Sequence, residues 1–380
     1  MGRDVNGKFR KIIFWLHLIA GVVAGIVIFI MSATGVALAF HPEIVAWADR
    51  DVRRVTPPNA EAKPLELGEL LAKLREQRPG ERPSNILLEA DPTIAVAVSY
   101  GGTNSFYVNP YSGEMRARGA QGVRDFMQLM IDWHRFLGGH DEKNRAVGKA
   151  ITGACNVAFL FLAGSGLYLW WPRQWTKKIF AAVGLMNFKL RGKARDFNWH
   201  HAAGIWSVVA ILTMSTTGLV MSYRWANSLV YRLVGEATPV RSGGPGGPRP
   251  AGPLSPPPPL APILAAVSST VPNWESITVP LANQPNAPLE LTVLQQGVAL
   301  PAARHTLAID RTTYRVVRHD QFTDGSPGRR LRAMLRFLHT GQALGLAGQV
   351  VAGLGCVAAL VLLYTGWALP KGRGPAARVG

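Results

Sequence analysis

Cysteine is almost absent from this chain: there are two, Cys155 and Cys356, among 380 residues. No disulfide framework follows from them, and no C-x-x-C-H run is present for covalent haem attachment. Both lie inside long apolar runs, where a small buried side chain is the plain reading. A G-x-G-x-x-G run placed after a strand is also missing, and with it the dinucleotide-binding fingerprint. Acidic residues are few, 23 Asp and Glu against 41 Lys and Arg, for a net charge of +18. Charge of either sign nearly vanishes from four stretches, 12–40, 147–171, 202–223 and 343–369.

Those four stretches are what the chain has in excess. Each reaches the ~20 apolar residues that cross a hydrocarbon core. Backbone groups in lipid must bond internally, so each is expected to be a helix. The basic residues then explain themselves by position. They gather in the N-terminal tail (Arg3, Lys8, Arg10, Lys11), between the second and third spans (Arg173, Lys177, Lys178, Lys189, Arg191, Lys193, Arg195) and at the C-terminus (Lys371, Arg373, Arg378), with Asp4 and Asp196 the only acids there. The positive-inside rule predicts that these three segments and both termini are cytoplasmic. Nucleic acid is not expected as a partner. Ala37-Leu38-Ala39 resembles a signal cleavage site, but the apolar run before it is longer than a signal's ~7–15 residues.

The expected order is a cytoplasmic tail 1–11, a first span 12–40, an outer unit 41–144, a second span 145–171, a cytoplasmic loop 172–196, a third span 197–223, a second outer unit 224–341, a fourth span 342–369 and a tail 370–380. The first outer unit reads as α+β: a helix over 65–78, strands at 85–90, 94–100 and 105–109, and a turn at Asn109-Pro110-Tyr111-Ser112-Gly113. Residues 123–137 place Phe126, Met130, Trp133 and Leu137 on one helical face, which predicts an interfacial helix. The second unit begins with a glycine- and proline-rich linker, 236–262. It continues with a helix near 262–271, strands at 276–280 and 289–294, and a strand, turn and strand over 305–318. A lead-in over 331–339 then repeats the interfacial helix.

The chain repeats itself. Laying His17 on His200 aligns 24 residues with eight identities, among them Ala20 on Ala203, Gly21 on Gly204, Met31 on Met214, Ser32 on Ser215 and Gly35 on Gly218. The other two spans match from Gly148 on Gly348, through Gly153, Val157, Ala158, Leu160, Leu162, Gly166 and Leu169. Before each stands a similar lead-in, WHRFL with His134 and LRFLHTG with His339. His17 and His200 fall at the inner ends of spans one and three, and His134 and His339 at the outer ends of spans two and four. In a two-repeat bundle equivalent helices face each other, so equivalent imidazoles can converge on one central group. Two histidines on opposite sides of a planar macrocycle make a bis-histidine haem site, and bundle cores commonly hold cofactors. Glycines four residues after His17 and His200 are expected to leave room for a flat ring. Zinc is less suited, because no acidic or cysteine ligand stands beside these histidines in the sequence of the spans. His201 is an alternative to His200. His41 and His140 read as surface residues, substrate contacts or spare ligands, and His305 and His319 as ordinary.

The H-x-x-x-G openings at His17 and His200, the two lead-ins, the S-x-T-G before each outward exit and YVNPYSGEM in the first outer unit resemble the PepSY-associated transmembrane family. Within it the chain resembles the inner-membrane ferric-siderophore reductases, in particular those of the ferrioxamine type. That resemblance implies a membrane protein with a four-helix transmembrane bundle built from two repeated helical hairpins, two non-covalent b-type haems, and two periplasmic α+β PepSY-like units. It further implies electron transfer from the inner haem to the outer one and reduction of a ferric siderophore, with release of the iron. Some relatives carry a fused flavin domain after the last span. This chain ends at Gly380, so the donor is expected to be a quinol or a separate reductase. A non-catalytic PepSY-type binding or regulatory protein is the alternative. A siderophore transporter suits the sequence poorly, because ionisable residues within the spans are few.

Overall fold

A computed structural model describes residues 2–59, 61–101, 105–172, 174–239, 258–281, 287–298 and 303–369. The expected linker falls mostly outside these residues, as does the C-terminal tail. In chain order the elements begin with α1 (Gly2–Ala39), α2 (His41–Ala48), α3 (Arg50–Arg53) and α4 (Leu67–Gln77). Four strands follow, β1 (Asn85–Glu89), β2 (Val96–Ser99), β3 (Ser105–Val108) and β4 (Met115–Ala117). Then come α5 (Gln121–Phe136), α6 (Glu142–Trp170), α7 (Lys177–Gly184), α8 (Gly192–Ser222), α9 (Arg224–Leu233) and α10 (Leu260–Thr270). Strands β5 (Trp274–Pro280), β6 (Leu289–Gln295), β7 (Arg304–Ile309) and β8 (Val316–Asp320), with α11 (Pro327–His339) and α12 (Gly345–Ala368), complete the chain.

Four helical stretches are long and apolar enough to cross a membrane: Gly7–Ala39, Glu142–Trp170, Gly192–Ser222 and Gln342–Ala368. The chain divides into two compact units. One joins 1–41, 125–235 and 332–380; the other joins 42–124 and 236–331. In the helical unit α1 packs on α6 and α12, and α8 packs on the same two, so α1 and α8 stand on one diagonal and α6 and α12 on the other. Two amide side chains in the spans bond the backbone of a neighbouring helix. Asn156 Nδ2 donates to Ser215 O at 2.9 Å and Gln349 Nε2 to Ala39 O at 3.0 Å. Such bonds between helices contribute about 0.6–2 kcal/mol each in an apolar medium.

Local signals set the ends of the spans. The Asp141 side chain caps α6 by accepting from Asn144 N at 2.9 Å, and Pro172 follows its last turn. Glycine is required where helix ends meet. A Cβ on Gly148 would lie 1.9 Å from Phe136 O, and one on Gly348 2.2 Å from Gly341 O. These two glycines let the segments carrying His134 and His339 dock on α6 and α12.

The other unit departs from expectation. In place of two separate α+β units it holds one antiparallel sheet of eight strands, ordered β4-β3-β2-β1-β5-β6-β7-β8. The join is β1 on β5, with Asn85 opposite Pro280 and Glu89 opposite Ser276. Each half alone is a four-stranded meander with an open edge, and pairing β1 with β5 closes two such edges. One core spans both halves. Leu67, Leu70 and Leu74 of α4 and Ile263 and Val267 of α10 bury against Ile86, Val98, Ile277, Leu291 and Leu307. The two echoing turns are built alike: Asn109 Oδ1 accepts from Tyr111 N at 2.9 Å, and Asp310 Oδ1 from Thr313 N at 2.7 Å. Helix α5 starts two residues before the expected 123, and from Asp125 on it belongs to the helical unit.

Candidate functional site

The four singled-out histidines all lie in the helical unit and meet in two pairs. His17 on α1 faces His200 on α8, ring centroids 6.5 Å apart and planes at 81°. His134 on α5 faces His339 on α11, again at 6.5 Å, with planes at 70°. His134 of the second pair bonds to α1 at Thr34, so about 17 helical steps, or ~25 Å, separate His17 from that level along α1.

Every ring is held the same way. His17 Nδ1 lies 2.8 Å from Ser165 Oγ and His200 Nδ1 2.9 Å from Thr365 Oγ1. His134 Nδ1 lies 3.0 Å from Thr34 Oγ1 and 2.9 Å from Met31 O. His339 Nδ1 lies 3.1 Å from Thr217 Oγ1 and 3.0 Å from Met214 O. Each hydroxyl spends its own proton on the carbonyl one turn back: Ser165 on Phe161 O and Thr365 on Val361 O, both at 2.7 Å. Thr34 donates likewise to Ile30 O at 2.7 Å and Thr217 to Thr213 O at 2.6 Å. The hydroxyl oxygen is then left to accept, so Nδ1 carries the ring proton and Nε2 keeps its lone pair. No Nε2 of the four bonds a described residue. Burial pushes His134 down to about 4, helped by His339 opposite, and lowers His339 as well. Both are held neutral, the form that binds a metal.

A glycine follows each hydroxyl and receives the ring. A Cβ on Gly166 would lie 3.3 Å from His17 Cε1, on Gly366 3.4 Å from His200 Cε1, on Gly218 3.4 Å from His339 Cε1 and on Gly35 3.7 Å from His134 Cε1. These are not the glycines singled out for a flat ring. Gly21 and Gly204 meet only leucine methyls, Leu162 Cδ2 at 3.8 Å and Leu362 Cδ2 at 3.6 Å, ordinary contact that a methyl would tolerate on the protein's side.

His201 joins neither pair. Its Nδ1 bonds Phe197 O at 2.9 Å and its ring stacks on Phe197 at 4.1 Å. His140 is exposed. His305 and His319, read as ordinary, belong to the sheet unit and meet each other: His305 Nδ1 lies 3.0 Å from His319 Nε2, and its Nε2 3.2 Å from Gln295 Oε1.

The donor set fits a haem. Among the described residues no three His, Cys, Asp or Glu side chains gather, so each pair offers two nitrogens where zinc takes three or four protein ligands. A tetrapyrrole fills four positions itself and needs two axial ligands.

The family model for the PepSY-associated TM region matches residues 14–370. No curated protein matches the chain closely enough to count as a relative.

Proposed function

Starting from a chain that belongs to the PepSY-associated transmembrane family by a match over most of its length, we propose that it is a di-haem inner-membrane reductase that moves electrons across the bilayer to a ferric siderophore in the periplasm. The repeat of span, strands, short helix and span then describes two helical hairpins about a pseudo-twofold axis, with both termini cytoplasmic and the sheet unit periplasmic. One observation carries the reading: two histidine pairs at the same 6.5 Å separation, each ring turned by a hydroxyl so that Nε2 is left bare.

Haem, when bound, supplies a one-electron couple at each level. His17 and His200 hold the inner one, His134 and His339 the outer. Ser165, Thr365, Thr34 and Thr217 fix tautomer and ring direction, the task that outer-shell partners perform at metal-bound histidines. Between the levels the packing is of apolar side chains, Ala24, Ile28 and Leu363 with Phe159 and Leu162 against them, and the one thiol among them is that of Cys155. The substrate is iron held by hard oxygen ligands, whose grip weakens when the metal becomes ferrous.

The test is the optical spectrum of the purified protein, oxidised and reduced, with the haem-to-chain ratio. Two reducible b-type haems per chain are expected, together with reduction of an added ferric siderophore. A chain without reducible haem, or one that reduces no ferric siderophore, would leave the non-catalytic PepSY-type reading in its place, and siderophore reduction that survives joint replacement of His134 and His339 would remove that pair from the electron path.

A further inference from the structure

The link between α6 and α8 is a folded element. Asn198 Nδ2 donates to Ala182 O at 2.8 Å and Leu185 O at 2.9 Å, and its Oδ1 accepts from Asn187 N at 2.8 Å. Trp170 Nε1 donates to Val183 O at 3.0 Å and Trp206 Nε1 to Gly184 O at 2.7 Å. Gly184 sits under the Phe180 ring, where a Cβ would come within 2.9 Å of Cε2. These bonds pin residues 182–187 to α6 and α8.

Large apolar side chains in and beside the pinned segment nevertheless turn outward, Leu185 within it, Trp175 edge-on to Trp170 and Trp171 at 5.7 and 5.4 Å, and Phe188 edge-on to Trp199 at 5.6 Å. Trp175 is 54% exposed, Leu185 50% and Phe188 76%. In water such a display forfeits burial worth roughly 25 cal/mol per Å², and the bonds just described keep it from collapsing inward. Charge follows the same outline. No acid occurs between Trp171 and Arg195, and Asp196 is taken by Arg195 at 2.8 Å. Lys177, Lys178, Lys189 and Arg191 are exposed and form no ion pair with a described residue. Rigidly displayed aromatics beside unneutralised cations, at the ends of two membrane-length helices, suit one medium: the interface of a bilayer with anionic headgroups.

We propose that the link 171–196 lies in the bilayer interface and binds anionic phospholipid, its four cations on the headgroups and Trp175, Phe180 and Phe188 among the upper acyl chains. Because the link is already folded, little ordering is needed on binding. The inference does not rest on haem or on siderophore chemistry.

Full-length protein is reconstituted in nanodiscs of equal phosphatidylglycerol and phosphatidylcholine, and the lipids it retains are counted by native mass spectrometry. Phosphatidylglycerol is expected to be preferred. Each cation at an anionic surface contributes about fivefold, so joint Lys177→Gln, Lys178→Gln, Lys189→Gln and Arg191→Gln should reduce that preference at least ~10-fold. Trp175→Ser with Phe188→Ser keeps every charge and should lower retention of both lipids. For wild-type protein, raising salt from about 0.05 to about 0.5 M should collapse the preference as the Debye length shrinks, a readout that needs no variant to fold. Equal retention of the two lipids by wild type, or a preference unchanged in the fourfold variant, overturns the proposal. The first of these outcomes would leave the basic face to an acidic protein.

Discussion

The two histidine pairs reach one geometry by different routes. His17 and His200 stand on α1 and α8, long apolar helices in their own right, and find their hydroxyls on α6 and α12. His134 and His339 stand on the shorter α5 and α11 and find theirs on α1 and α8. The constant element is the receiver, a hydroxyl followed by glycine, which occurs as Ser165-Gly166, Thr365-Gly366, Thr34-Gly35 and Thr217-Gly218. The lead-ins are less regular: in WHRFL the histidine precedes the Phe-Leu step and in RFLHTG it follows it. About one helical turn separates the two placements, and residues a turn apart share a face. The receiver therefore fixes the site, and the ligand helix has only to bring an imidazole within reach.

Replacing a ligand should have the largest effect and should separate the pairs. His200→Ala is expected to cut the haem-to-chain ratio from two to one, His339→Ala to do the same at the other level, and His201→Ala to leave it at two. A His200→Ala protein that holds no haem at all would show that the levels are not independent. Next come the glycines that dock the ligand-bearing segments. Gly148→Ala forces a methyl into Phe136 O, an overpacking that costs typically 1–3 kcal/mol. It should lower the melting temperature and shift the electron paramagnetic resonance signal of the His134–His339 level alone. Equal movement of both signals would mean that the pairs share one support.

Much of this contrast was legible in the sequence. Period, length and charge mark the spans, and the repeat marks His17, His200, His134 and His339 as a set. Aligning the repeats also favours His200 over His201, and it is His200 whose ring stands opposite His17. The receivers were in view as well, since Thr34 and Thr217 belong to the S-x-T-G motif, but a threonine in a span can simply bond its own helix. Only packing shows that these also accept from an imidazole. Ser165 and Thr365 were obscured further because the repeat exchanges one hydroxyl residue for the other. The joined sheet was not legible either, because β1 and β5 both alternate as any half-buried strand does, and nothing in either names its partner.

Smaller effects should follow removal of the receivers. Ser165→Ala deletes the only oxygen described at His17 Nδ1, and outer-shell losses of this kind cost about 10–100-fold in affinity. Haem should therefore dissociate at least ~10-fold faster from the His17–His200 level. Thr34→Val leaves Met31 O at 2.9 Å to accept the same proton, so the His134–His339 level should lose less. Dissociation rates measured with a haem-capturing protein would order the two, and the reverse order would mean that the carbonyl is not an effective substitute.

The smallest effect belongs to the sheet unit and serves as a control on both pairs. His305 sits between two partners. Gln295 Oε1 requires a proton on Nε2, so Nδ1 must accept from His319 Nε2. Burial, and then His319, holds the imidazole of His305 below its usual value, so the unfolded chain binds the proton more readily than the folded one. Stability is therefore complete above about pH 6.5 and falls as pH drops through that value toward the lower folded one, by no more than about 1.4 kcal/mol per pH unit for one group. Thermal melts between about pH 7.5 and 5.5 should show this acid limb in wild type and a flatter one in His305→Gln. The haem spectra should stay constant over the same range below the melting temperature. An acid limb that persists unchanged in the variant would assign the titration to another group, and one that moves with the haem signals would place it at a histidine pair.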